Sequence, residues 1–144
     1  MHYSAIKDKL FLIRLERGEE VNSSIKRFCE KLGIKNAMFT GIGSIENPTV
    51  AHYRVDSRKY SEKKLRGIFE VTSFMGNVAV FEGHPLVHGH ISLSDEGMRA
   101  FGGHLVEADV SATLEIMLQD LGSGKSKKFD KEIGLKLFNL DKRL

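Results

Sequence analysis

The sequence predicts an α+β domain: a mostly antiparallel β-sheet of about seven strands with one main α-helix near residues 20–32. Three observations predict it. Runs of branched and aromatic residues alternate with period two along most of the chain. Glycine-containing turn signals punctuate those runs. One segment carries apolar residues at helical spacing. A length of 144 residues fits a single domain, 1–144, and no internal repeat or boundary interrupts it.

Residues 9–16 read as a strand, with Leu10, Leu12, Arg14 and Glu16 on one face and Phe11, Ile13 and Leu15 on the other. Gly18 ends it. Val21, Ile25, Phe28 and Leu32 then recur at helical spacing, and Gly33 suits the left-handed residue that stops a helix. Cys29 lies beside Phe28 on that stripe and is expected to be a buried, inert thiol. An apolar run over 36–45 ends in Gly41-Ile42-Gly43-Ser44. The rest of a dinucleotide-binding loop is missing, and Pro48 and a β-like run follow in place of a helix. These glycines are expected to serve a bend or a close backbone approach.

Residues 49–55 alternate as a strand, and the charged stretch to Arg66 reads as a long loop. Residues 68–75 form a strand, Gly76-Asn77 reads as a two-residue hairpin turn, and residues 78–81 return. Gly83-His84-Pro85 turns again before a strand at 86–93, which Ser94-Asp95-Glu96-Gly97 closes. After Gly102-Gly103-His104 comes a long run. There Val110, Ala112, Leu114, Ile116 and Leu118 alternate with Ser111, Thr113, Glu115, Met117 and Gln119. Gly122-Ser123-Gly124-Lys125-Ser126 reads as a loop, and Ile133, Leu135 and Leu137 as a last strand.

Hydrophobic residues at 41% and charged residues at 28% are ordinary for a soluble globular chain. No apolar run approaches the ~20 residues of a membrane span, and no signal-peptide pattern opens the chain. One cysteine cannot form an internal disulfide or a cysteine-rich zinc module. A cytoplasmic location is expected, with no membrane partner.

The formal charge of +3 is unevenly spread. Residues 54–66 carry Arg54, Arg58, Lys59, Lys63, Lys64 and Arg66 against two acids, for +4, and residues 125–144 also sum to +4. Residues 82–120 sum to −6 and hold four of the six histidines. That sign favours a bound cation over a polyanion there. Nucleic acid, if bound, would meet the basic stretches, which otherwise read as solvated loops.

The informative segment is Leu86-Val87-His88-Gly89-His90-Ile91-Ser92-Leu93. Alternation puts His88 and His90 on the side opposite Val87, Ile91 and Leu93, with Cβ atoms about 6.5–7 Å apart. Two imidazoles at that spacing can converge on one metal ion. His104 follows after a turn and two glycines, and a hairpin-like return would bring it beside them. Three neutral imidazoles leave an open position on Zn²⁺. Iron, nickel, cobalt and copper accept the same ligands. Glu70 or Glu115 is a candidate outer partner for these histidines. The competing reading is a hydrogen-bonded histidine cluster in a polar pocket or at a subunit contact. His2 and His52 read as surface or edge residues, and His84 as a turn residue and a further candidate for the pocket. No acyl-transfer motif, P-loop or HExxH zinc motif is present.

Several motifs, taken in order, resemble one known family. They are Arg14-Leu15-Glu16-Arg17-Gly18-Glu19-Glu20, Gly41-Ile42-Gly43-Ser44, Phe69-Glu70-Val71, Met75-Gly76-Asn77, His88-Gly89-His90 and Gly102-Gly103-His104-Leu105. Together they look like the PPC (plants and prokaryotes conserved) domain, to about residue 120, in its stand-alone prokaryotic type. The resemblance implies a compact α+β domain that forms a homotrimer. It implies a metal ion, zinc first, on His88, His90 and His104, and a DNA-associated or regulatory role. Arg14 and Glu70 match further family positions without an assignable role. The plant proteins carry an AT-hook before the domain. This sequence has none, since Arg66-Gly67 is followed by Ile68. A DNA role therefore rests on fold analogy. The alternative is a zinc-type metalloenzyme in which a water activated at the three-histidine site is the nucleophile and Glu70 or Glu115 the general base.

Overall fold

The structure is a computed structural model that describes residues 1–122 and 124–142. Among them the chain forms β1 (His2–Lys7), β2 (Leu10–Glu16), α1 (Val21–Leu32), β3 (Ala37–Arg54), β4 (Lys59–Lys64), β5 (Ile68–Phe81), β6 (His84–Ser94), β7 (Ala100–Asp120), β8 (Lys127–Asp130) and β9 (Leu135–Phe138). The alternation in β2 buries Ile13 and Leu15 and exposes Leu12, Arg14 and Glu16. The carboxylate of Glu20 caps α1 by accepting the backbone N–H of Asn22 and Ser23. Gly33, at φ 68°, ends it in the left-handed conformation. Val21, Ile25, Phe28 and Cys29 form the buried stripe of the helix, which packs on β6 and β7. Burial pushes the Cys29 thiol up to about 12, with Asp120 and Glu30 adding to it, so the thiolate is suppressed.

Seven strands run in the order β1-β2-β7-β6-β5-β3-β4, and β3 pairs with β7 as well. One row of cross-strand partners shows the consequence. Thr40 faces Met75, Met75 faces His90, His90 faces His104, and His104 faces Ala51. The row begins and ends on β3, so β3, β5, β6 and β7 close into a ring with no free edge between them. At 18 and 21 residues, β3 and β7 are long enough to leave the ring and carry β4 and β2. Phe39, Phe74, Ile91, Leu93, Leu114 and Ile116 fill the interior. A fully buried side chain such as Phe74 or Leu93 contributes roughly 1.5–3 kcal/mol.

Four segments differ from expectation. Gly76-Asn77 is not a turn; β5 runs through it. Gly76 faces Gly89 on β6 and Phe39 on β3, and a Cβ there would strike the His88 carbonyl and the Phe39 ring. The glycine serves a close approach of strands. The real turn is Glu82-Gly83, both at positive φ, which closes the facing pair Phe81 and His84. The charged stretch before Arg66 contains β4, held by backbone pairing to β3 although its side chains are all exposed. The N-terminal β1 is likewise exposed along its length, with no alternation of burial, although the Tyr3 ring meets that of Phe28 edge-on. The tail does not join the main sheet; β8 and β9 pair with each other. Within the expected loop at 122–126, Ser123 lies outside the described residues. Gly43 does serve a close approach, because a Cβ there would overlap the Thr113 carbonyl of β7. No helix among the described residues is long and apolar enough to cross a membrane.

Candidate metal centre

Strand alternation and three glycines build the histidine cluster. Gly89, Ile91 and Leu93 face the interior of the ring, so His88 and His90 point outward. A Cβ at Gly89 would collide with the ring of Phe74, so only glycine fits between the two histidines without displacing the core. Gly102 and Gly103 let β7 run close between its neighbours. A Cβ would come within 2.8 Å of the Ile91 carbonyl at Gly102 and of the Ala51 carbonyl at Gly103. That approach sets His104 directly opposite His90. The three side chains present one ligand atom each, all within 4.8 Å of one another. Their ring centroids lie 5.1–5.6 Å apart.

The cluster lies in a cavity of about 570 Å³. The Tyr60 ring packs against His104 at a centroid distance of 5.2 Å and against Tyr53 at 4.9 Å. The β8–β9 hairpin is the roof, contributing Phe129, Leu135 and Leu137. It is tied down by the Tyr53 hydroxyl, which donates to the Ile133 carbonyl at 2.6 Å, and by the Arg58 guanidinium, which donates to the Lys131 carbonyl at 3.1 Å. The hairpin also brings in Lys127. Its side chain is buried, with Nζ 3.4 Å from His88 Nδ1. The sequence reading missed Lys127. The available signal was a lysine within a short β-like tail, which looks the same as a solvated one.

Among the described residues, no aspartate or glutamate lines this cavity. Burial pushes the pKa of His88 down to about 4, helped by Lys127, His104 and His90. Burial, then His90 and Lys127, lowers that of His104. Burial lowers that of Lys127. The two imidazoles are therefore neutral at neutral pH, which is the form that ligates metals. His104 Nδ1 is buried and has no hydrogen-bond partner among the described residues. A buried nitrogen without a partner, inside a set of neutral nitrogen donors, suits a borderline-soft divalent ion such as zinc.

Other candidates fall elsewhere. Glu70 is exposed and faces Ser44 and Ser94, and Ser94 is about 13 Å along β6 from His90. Glu115 is exposed and faces Arg14 and Ile42, about 36 Å along β7 from His104. Neither lines the cavity, so neither is an outer partner or a base for these histidines. His2 pairs with Glu16. His52 is exposed at the rim of the cavity, and His84 borders a separate cavity beside Pro85 and Asn36. Arg54, Arg58, Lys59, Lys63, Lys64 and Arg66 lie on β3, β4 and their flanks. They do not form one uncontested patch. Arg58 is spent on the roof, Lys64 Nζ is 3.6 Å from Glu107, and Lys64 and Arg66 share a cleft with Glu20, Glu107 and Asp109.

Comparisons with known proteins agree with this architecture. The family model for the Plants and Prokaryotes Conserved (PCC) domain matches residues 4–122. The plant- and prokaryote-conserved (PPC) protein of Pyrococcus horikoshii is 38% identical, with a TM-score of 0.87 over 99% of this chain and 97% of that one. A metal-containing protein of Archaeoglobus fulgidus is 31% identical, with a TM-score of 0.84 over 95% of this chain and 96% of that one. A protein of Ralstonia eutropha, named as a candidate DNA-binding protein, is 25% identical, with a TM-score of 0.88 over 96% of each chain. Among curated proteins, none matches the sequence. With the family match spanning most of the chain and carrying all three histidines, the protein belongs to the Plants and Prokaryotes Conserved domain family.

Proposed function

We propose that residues 1–144 form a single PPC domain that acts as a homotrimeric metal-binding module in the cytoplasm, with a regulatory or DNA-associated role. Zinc is the first candidate ion. The observation that carries this reading is the convergence of His88, His90 and His104 within 4.8 Å of one another. The metal content of the related Archaeoglobus fulgidus protein supports it. Trimer formation has its own support. Leu12, Met38, Ile42, Met75 and Met117 are exposed on neighbouring strands, and Leu12 faces Met117, which faces Thr40, which faces Met75. An apolar row on the outside of a sheet suits burial against further copies. Light scattering should give three times the 16.2 kDa chain mass, and a monomeric mass would contradict the trimer.

Association with DNA is supported by the name of the Ralstonia eutropha relative and by the basic β3–β4 region. Binding of duplex DNA is expected to weaken steeply with salt and to be lost when Lys63, Lys64 and Arg66 are replaced by glutamine. Undetectable binding at low ionic strength would remove this role.

The roofed cavity favours a second reading, a metalloenzyme. A divalent ion, when bound, supplies an electrophilic centre with an open position. The chain's own part is to hold three imidazoles together beneath the side chains of Tyr60, Phe129 and Leu137. Among the described residues, no carboxylate lines the cavity to act as a base.

A further inference from the structure

The cavity over the histidines carries positive charge and no negative charge. Lys127 is only 6% exposed, and its Nζ lies 3.4 Å from His88 Nδ1. A divalent ion on the three imidazoles would add two more positive charges beside it. Among the described residues, no acidic one lines the space to offset either group. Like charges brought this close repel, the more so when one of them is buried. An anion set between them removes the conflict.

The remaining walls select the body of that anion. Leu86, Phe129, Leu135 and Leu137 are apolar, and the Tyr60 ring closes one side. Lys136 also lines the space, but it is exposed and its Nζ lies 4.3 Å from the centroid of the Phe81 ring, so Lys127 supplies the buried ammonium. One ammonium, one ion and an apolar shell match a singly charged head on an apolar body better than a hydrated inorganic anion.

We propose that the cavity binds a small monocarboxylate with an apolar body, the carboxylate lying between the metal ion and Lys127. The proposal rests on the metal-binding reading above and adds a ligand class and a specificity residue to it. Lys127 and the apolar roof sit on β8 and β9, beyond residues 4–122 that match the family. The ligand would thus be chosen by a different part of the chain from the one that holds the ion.

The test is calorimetric titration of the zinc-loaded protein with benzoate, acetate, benzamide and inorganic phosphate, after zinc stoichiometry has been measured by mass spectrometry. Benzoate is expected to bind at least tenfold more tightly than acetate, which lacks the apolar body, and than benzamide, which lacks the charge. Lys127→Met, which keeps the stem but not the charge, should retain zinc and lose at least tenfold in benzoate affinity. Lys127→Arg should recover part of it. If Lys127→Met loses zinc, Lys127→Arg decides: benzoate binding within a few-fold of wild type supports the proposal, and no binding overturns it. Benzamide binding as tightly as benzoate, phosphate binding more tightly, or an unchanged affinity in Lys127→Met would each overturn it. A protein that takes up no zinc contradicts the metal reading. Lys127-dependent benzoate binding to that zinc-free protein would still support the lysine subsite, and its absence would overturn both.

Discussion

The floor and the roof of the histidine cavity are held in different ways. The floor is part of the closed ring: Gly89 lies against Phe74, and Gly103 against the Ala51 carbonyl, between strands whose inner faces are the core. The roof is hung on polar ties from Tyr53 and Arg58 and on a cation–π contact from Lys136 to Phe81, while Lys127 over Phe138 joins the two strands of the hairpin to each other. Among the described residues, none beyond Leu118 belongs to the buried apolar core. The three candidate ligands therefore stand where the fold fixes them. The lysine stands on an element that can change without putting the fold at risk.

The sharpest way to break this comparison is to damage each side in turn. Gly76→Val puts a Cβ against the His88 carbonyl and the Phe39 ring. It should cost about 3 kcal/mol or more by overpacking, read as a lower denaturant midpoint. Deleting residues 127–144 should leave one cooperative unfolding transition while exposing the histidines to solvent. Loss of cooperativity on that deletion would mean that the roof is part of the core after all.

Acid separates the two more finely. In the metal-free protein, His88 titrates near 4 when folded against an ordinary value of 6.5. Above 6.5 it is neutral in both folded and unfolded chains. Between 6.5 and about 4 the unfolded chain takes up a proton that the folded one refuses, so stability should fall as pH falls through that window. His104, also lowered, acts in the same direction. The melting temperature followed over this range should drop, and His88→Gln should flatten the drop. Lys127→Met should raise the pKa of His88, followed by NMR, yet leave it below 6.5, because burial is the larger cause. The smallest effect is expected from Tyr53→Phe. It removes one hydrogen bond to the Ile133 carbonyl and should cost about 0.5–1.5 kcal/mol, with hydrogen exchange rising in residues 127–138 and unchanged in β6.

Much of the floor was legible in the sequence. Period-two alternation reports which side of a strand is buried, so His88-Gly89-His90 and the glycines before His104 located the cluster. The turn at Gly76-Asn77 was misread because a glycine needed for close packing and a glycine needed for positive φ look alike until the partner strand is known. β1 and β4 were missed because backbone pairing holds them and their side chains are exposed, leaving no pattern of burial to read. Glu70 and Glu115 were placed near the histidines by strand adjacency alone, and register separates them. Lys127 was hidden because its burial depends on a hairpin folding back over β6, a contact between distant parts of the chain.

The most direct measurement is the metal content of untagged protein by mass spectrometry, beside a His88→Ala, His90→Ala double variant. A metal centre predicts close to one equivalent of metal, zinc first, in the wild type and none in the variant. Equal metal in both proteins, or none in either after incubation with Zn²⁺, would contradict it and leave the three histidines as a buried polar cluster.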